Sequence, residues 1–225
     1  TKTNAKCRVG RDYRMFLEFC RANGITEWTE LDTVMGRIGG KVLFTMILPG
    51  GLMLMFLRDR KSSQTCTRLF NMLWEVAGPD LFLKLFRVIL TDNGTEFTNP
   101  DKIEKDGEDN KIANLFYADA CASYQKPHVE RNHEFIRLVL PKGSHYFLPT
   151  SFDGLTQEDV DLMMSHINSY VREASGDKPP YDLMTRKFGV EFADLFNIRR
   201  IPANDVVLKP SLLGIEQKVR PEIIK

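Results

Sequence analysis

Ile89-Leu90-Thr91-Asp92-Asn93-Gly94-Thr95-Glu96-Phe97 runs from an apolar segment into a tight Asn-Gly turn, with a carboxylate at the joint. The apolar part reads as a buried strand, and Asp92 then sits at its C-terminal edge. Asp-Asn-Gly clusters also make plain turns after strands. Such a turn needs Asn-Gly but not an aspartate at the sheet edge, and that favours a site. A second segment, Gln125-Lys126-Pro127-His128-Val129-Glu130-Arg131-Asn132-His133, carries a carboxylate in the first turn or so of a helix that Pro127 can start. A third acidic residue, Asp32, ends a strand-like run near the N-terminus. Three carboxylates on separate rigid elements can converge on a pair of divalent ions, the arrangement used for phosphoryl transfer.

The surrounding pattern is that of a mixed α/β fold. An amphipathic helix is predicted from about Asp12 to Ala22, then strands over Trp28–Val34, Val42–Leu48 and Leu52–Leu57, joined by short Gly- and Pro-containing turns. Three such strands in succession suggest an antiparallel meander. Ser62 or Ser63 caps a helix bearing Cys66, Leu69, Phe70, Leu73, Val76 and Ala77, and a short apolar helix follows Pro79-Asp80. Arg87–Thr91 is a fourth strand, Asn99-Pro100 starts a short helix, and Lys105–Asn110 is a polar, mobile loop. Leu115–Ala118 is a fifth strand, followed by the helix with Glu130. Thr156 caps a helix with a stripe of Val160, Met163, Met164, Ile167 and Val171, and a short helix ends near Gly189. After Arg200 a strand-and-loop appendage with Pro202, Pro210 and Pro221 is expected.

Composition limits the alternatives. The 225 residues are 43% apolar, enough for one large domain, or for one domain with an appendage, and the net charge is +1. That charge neither supports nor excludes a nucleic-acid partner, since an acidic metal site offsets a basic track. Residues 1–30 carry six Lys/Arg against four Asp/Glu, and residues 199–225 carry six against three. The first thirty residues show no apolar secretory core, and the run Val42–Leu57 is broken by Pro49-Gly50-Gly51 and too short to span a bilayer as one helix. A soluble, cytoplasmic protein with no membrane partner is the expectation. Cys7, Cys20, Cys66 and Cys121 are scattered, which argues for reduced thiols rather than a zinc site. His128, His133, His145 and His166 are also too dispersed for a histidine-based zinc site.

Alternation along Glu30-Leu31-Asp32-Thr33-Val34 puts Glu30 and Asp32 on one face, so Glu30 competes with Asp32 as a ligand. A carboxylate on a central strand is partly buried, and a bound cation offsets the cost. Glu130 and Glu134 share one helix face opposite the buried stripe Val129, Ile136 and Val139/Leu140, and either can be a ligand. Glu130 lies nearer the helix start, with Lys126, Arg131 and Arg137 around it to meet phosphates.

These residues resemble a known group. Thr91-Asp92-Asn93-Gly94-Thr95-Glu96-Phe97, followed by the Gln125–Asn132 helix start, looks like the catalytic core of DDE transposases and retroviral integrases. Bacterial insertion-sequence transposases of the group numbered thirty are closer still. They share the Glu30–Val34 lead, the Phe116–Asp119 step and the Leu140-Pro141-Lys142-Gly143 exit. The likeness covers roughly Glu30 to Tyr181. It departs at Pro127, Val129 and Arg131, where the family has glycine and asparagines, and over Asn168–Glu173, where the family is rich in Arg and Pro.

The resemblance implies an RNase H-like α/β fold, with a mixed five-stranded sheet flanked by helices and a C-terminal helical and irregular extension. Residues 1–27 would be a helical lead-in, 28–175 the core and 176–225 the extension. It implies Asp32, Asp92 and Glu130 as the catalytic triad holding two Mg²⁺ or Mn²⁺ ions, and DNA as substrate for cleavage and strand transfer by a homo-oligomer. Asn93, Gly94, Lys126 and Arg131 are the phosphate-contact candidates. A catalytically silent DNA-binding module, or an RNase H-like nuclease without strand transfer, are the alternatives on the same fold.

Overall fold

A computed structural model of the chain describes residues 6–142, 151–173 and 176–214. Gly143, His145, Pro221 and the rest of the tail from residue 215 lie outside the described residues. Five strands, β1 (Thr29–Met35), β2 (Val42–Ile47), β3 (Met53–Arg58), β4 (Val88–Thr91) and β5 (Asn114–Tyr117), form one sheet in the order β3-β2-β1-β4-β5. The links β1–β2 and β2–β3 are too short for a crossover, so these neighbours are antiparallel. β4 pairs in parallel with both β1 and β5. The result is a mixed five-stranded sheet flanked by helices.

The chain divides into two compact units. The first comprises Thr1–Asp32, Met46–Pro49 and Lys61–Glu130. Its central strand β4 is buried at all four positions, as expected of a parallel strand covered on both faces. Helix α1 (Tyr13–Ala22) starts at Asp12, whose carboxylate accepts from the Met15 amide. Its Phe16 and Cys20 pack on Val88, Leu90, Phe116 and Ala118. Helix α2 (Ser63–Phe86), capped by Ser62, kinks at Gly78, whose φ of 69° suits glycine, and Pro79 opens the second segment. Phe70, Phe82 and Phe86 meet there edge-to-face or tilted.

After α3 (Asp101–Glu104) the polar loop is tied rather than loose. Asp106 accepts hydrogen bonds from the amides of Glu108 and Asn110 and from the Asn110 side chain. Buried Glu104 accepts from the Leu115 amide with one oxygen and from the Arg11 guanidinium with the other, which covers the outer edge of β5.

The second unit comprises Thr33–Thr45, Gly50–Arg60 and Arg131–Lys225. Helix α4 (Pro127–Val139) contributes its residues from Arg131 onward, including buried Ile136 and Val139. Helix α5 (Gln157–Ser169) has a full capping box of Thr156 and Asp159 and packs along β3. It ends before Val171, which is exposed, because the chain turns extended at Tyr170. Helices α6 (Pro180–Phe188) and α7 (Val190–Leu195) meet at Gly189, at φ 88°. The sequence reading had no counterpart for α7. Beyond Arg200 the described residues form two 3₁₀ turns, Ala203–Asp205 and Pro210–Leu213, and no strand. Cys20, Cys66 and Cys121 are free thiols.

Candidate active site

Asp32, Asp92 and Glu130 all belong to the first unit. β1 and β4 run parallel with Thr29 opposite Ile89 and Glu30 opposite Leu90. Continuing that register by two residues puts Asp32, in the middle of β1, level with Asp92, the residue after β4. The Thr91 hydroxyl, which donates to the Leu31 carbonyl, fits the same alignment. Open α/β sheets place their ligand sites at the carboxyl ends of strands, and Asp92 stands there, directly after β4.

The two carboxylates are half-buried but differently engaged. Asp92 Oδ1 accepts from the Gly94 amide at 3.0 Å, so the residue makes its turn as well as facing the site. Asn93 fastens the turn, donating through Nδ2 to the Ala118 carbonyl and accepting at its own carbonyl from Arg8. Gly94 is tightly placed, because a Cβ there would meet the Glu96 carboxylate at 2.5–2.8 Å. Glu96 is itself buried and paired with Lys61 at 3.3 Å. Asp32 Oδ2 instead accepts from Lys126 Nζ at 2.9 Å.

Lys126 is 2% exposed, and its ammonium also donates to the Leu31 carbonyl at 3.2 Å. The segment that delivers it is rigid. Buried Gln125 accepts from the Asp119 amide and donates to the Asp119 carboxylate, and the Lys126 amide donates to the Ser123 carbonyl.

Glu30 resolves the competition on its face of β1. It is fully buried, and its Oε2 accepts from the Val129 amide at 2.8 Å, in the first turn of α4. A carboxylate is favoured at that end of a helix by the dipole and the unpaired amides. Burial nevertheless pushes the Glu30 carboxyl above the usual carboxylate range, with the Val129 bond opposing it. Glu30 therefore anchors the start of α4 below the site. Glu130, one position on, is exposed, while Val129 is buried at 0%. Arg131 and Glu134 are exposed on the part of α4 that belongs to the second unit.

Carboxylate oxygens at Asp32 and Asp92 suit a hard divalent cation, and the buried ammonium already at Asp32 marks a position that draws positive charge. Among the described residues, no three acidic, histidine or cysteine side chains are gathered closely enough to hold an ion, so the triad is not assembled. The Lys126–Asp32 pair and the Glu30 anchor were hidden in the sequence, because each joins residues far apart in the chain. The alternation of Glu30 and Asp32 was the only signal for the second.

No protein-family model matches the chain, and no curated protein matches it. Among solved structures it is similar to the catalytic core domain of BIV integrase, at 16% identity and a TM-score of 0.49. That alignment covers 74% of this chain and 99% of the other. Among the described residues, no helix is long and apolar enough to cross a membrane.

Proposed function

We propose that this chain is the catalytic core of a DNA transposase or integrase, one that cuts a DNA strand and joins the resulting 3′ end to another. The single observation that carries the reading is the parallel pairing of β1 with β4, whose register, continued by two residues, sets Asp32 beside Asp92. The sequence resemblance, centred on Asp92 to Phe97 and Glu130, supports placing it with the insertion-sequence transposases of bacteria. In this reading residues 28–175 form the core, residues 1–27 lead into it, and residues 176–225 extend it.

Asp32, Asp92 and Glu130 are the residues that would hold Mg²⁺ or Mn²⁺, which would supply activation of a water or 3′-hydroxyl nucleophile and stabilisation of the leaving oxygen. The chain's own groups do the positioning. Glu30 fixes the first turn of α4, and with it the backbone of Glu130, relative to β1. Asn93 and Gly94 hold Asp92 at the turn. Lys126 and Arg131 offer positive charge to the DNA backbone, which aligns the substrate without reading its sequence. A homo-oligomer in the cytoplasm is the setting that such a reaction implies.

The unassembled triad and the Lys126–Asp32 pair favour one second reading, a DNA-binding module on the same fold with no catalysis. The two readings separate with supercoiled plasmid and labelled oligonucleotides in Mg²⁺ or Mn²⁺. A transposase core nicks and joins DNA, and Asp92→Asn loses both activities while still folding. Full activity in Asp92→Asn sinks the mechanism. Binding without cleavage supports the silent module, and cleavage of RNA–DNA hybrids without joining points to a nuclease.

A further inference from the structure

In the second unit, Arg172 is a guanidinium drawn out of water without a counter-ion. It lies just past α5, where Tyr170 turns the chain extended. Its Cζ is 4.9 Å from the centre of the Phe135 ring, and Nη2 donates to the Ile167 carbonyl at 3.5 Å. Nε is buried with no hydrogen-bond partner among the described residues. Burial, with Arg131 nearby adding to it, lowers the Arg172 pKa to about 10. A ring face attracts a guanidinium, but it does not replace partners for five N–H donors. Arg131 and Phe135 are four apart on α4 and so share a face of that helix. Among the described residues neither arginine is in an ion pair, and the acidic neighbours Glu134 and Glu173 are exposed and make none with them. The Phe135 ring also meets Tyr170, at 5.3 Å and tilted by 53°, and Tyr170 is 43% exposed. Two unneutralised guanidiniums beside an exposed aromatic ring lack only an anion to complete them.

We propose that Arg131 and Arg172 clamp one phosphate of single-stranded DNA, with the neighbouring unpaired base resting on Tyr170. The planar fork of a guanidinium matches phosphate oxygens in pairs, and two forks from different elements fix that group from two sides. An aromatic face accepts any base, so the site holds a strand without reading it. Paired bases are already stacked on one another, which leaves the ring to an unpaired nucleotide. The inference rests on the DNA reading above and deepens it, since a strand opened for cutting or joining presents such nucleotides. Arg172 and Tyr170 bind the strand and take no part in the chemistry.

The test is fluorescence anisotropy of the full chain in EDTA, with a labelled oligothymidylate of about 15 nucleotides, the span of one single-strand site, and a duplex of the same length. Arg131→Gln and Arg172→Met should each weaken single-strand binding by roughly tenfold. The double variant should lose much less than the product of the two, because both arginines hold one phosphate. Tyr170→Ala should weaken single-strand binding by roughly tenfold and leave duplex binding unchanged, while Tyr170→Phe stays near wild type. Variants that bind like wild type, or arginine losses that simply multiply, overturn the clamp and leave the DNA reading standing. A Tyr170→Ala loss equal on both DNAs overturns the assignment to an unpaired strand. If wild type binds neither DNA, the clamp and the DNA reading fall together. Should Arg172→Met unfold, the exposed Arg131→Gln and the Tyr170 pair decide.

Discussion

At the outer edge of β3, helix α5 meets backbone groups with neutral partners of matching chemistry. Asn168 is fully buried, accepting from the Met53 amide at 2.8 Å and donating to the Met53 carbonyl at 2.7 Å. Gln157 does the same for the Leu57 amide and the Met55 carbonyl, and Met164 sulfur takes the Met55 amide. Around Glu30 and Asp32 of β1 the buried polar groups are ionisable, and the match is incomplete. Glu30 Oε1 is buried with no hydrogen-bond partner among the described residues, and Lys126 is held by a carboxylate proposed to serve chemistry. Both regions bury polar atoms, but in the first the named backbone groups of β3 are met by side chains of no net charge. Complete neutral matching closes a sheet edge against further pairing, whereas partial charged matching leaves a region that another cation or anion can complete.

The sharpest way to separate the two regions is to neutralise one carboxylate at the strand ends. Asp92→Asn keeps an oxygen for the Gly94 amide, so its unfolding curve should stay within about 0.5 kcal/mol of wild type. Strand cleavage should fall by on the order of a thousandfold or more, about 4 kcal/mol of lost transition-state stabilisation. Cleavage assays beside urea melts check both halves, and a variant that unfolds with its activity intact reverses the contrast.

Asn168→Leu attacks the other region. It strands the Met53 amide and carbonyl in an apolar setting, at roughly 2–5 kcal/mol for two orphaned groups. Urea unfolding should show that loss, and a change below about 0.5 kcal/mol would mean the seal is dispensable. Gln157→Ala, in a less buried position, should cost less, roughly 1–2 kcal/mol by the same measurement.

The smallest effect is a pH dependence in the neutral region. His166 Nδ1 accepts from the Val207 amide, and burial pushes its pKa below the ordinary 6.5. A histidine depressed in the folded state contributes stability that is present above its unfolded value and lost as pH falls through the folded one. The urea midpoint of wild type should therefore decline below about pH 6.5 more than that of His166→Gln. Parallel curves for the two proteins would remove His166 from the account.

How much could be seen in the sequence follows the range of each interaction. Helices with local signals were readable: Asp12, Ser62 and Thr156 each cap the helix predicted from them. All five strands stood out as apolar runs bounded by turns. Val171 was assigned to the α5 stripe because its spacing is right, but periodicity does not report the extended backbone at Tyr170 that ends the helix. The loop from Lys105 looked mobile from its polarity, although Asp106 uses that same polarity to tie it. The Asp92 side chain makes the turn, as one of the two readings of it expects, and its place in the site is the proposal. The Asn168 seal and the Lys126–Asp32 pair join residues |i−j| 115 and 94 apart, and no local pattern carries such contacts.

Calorimetric titration of Mn²⁺ into wild type and Asp92→Asn tests the central claim most directly, because it asks whether the strand-end carboxylates hold an ion at all. The account predicts saturable binding by wild type that weakens by roughly tenfold or more in the variant, as the loss of one charged ligand requires. Identical isotherms for the two proteins, or no binding by either, would contradict it.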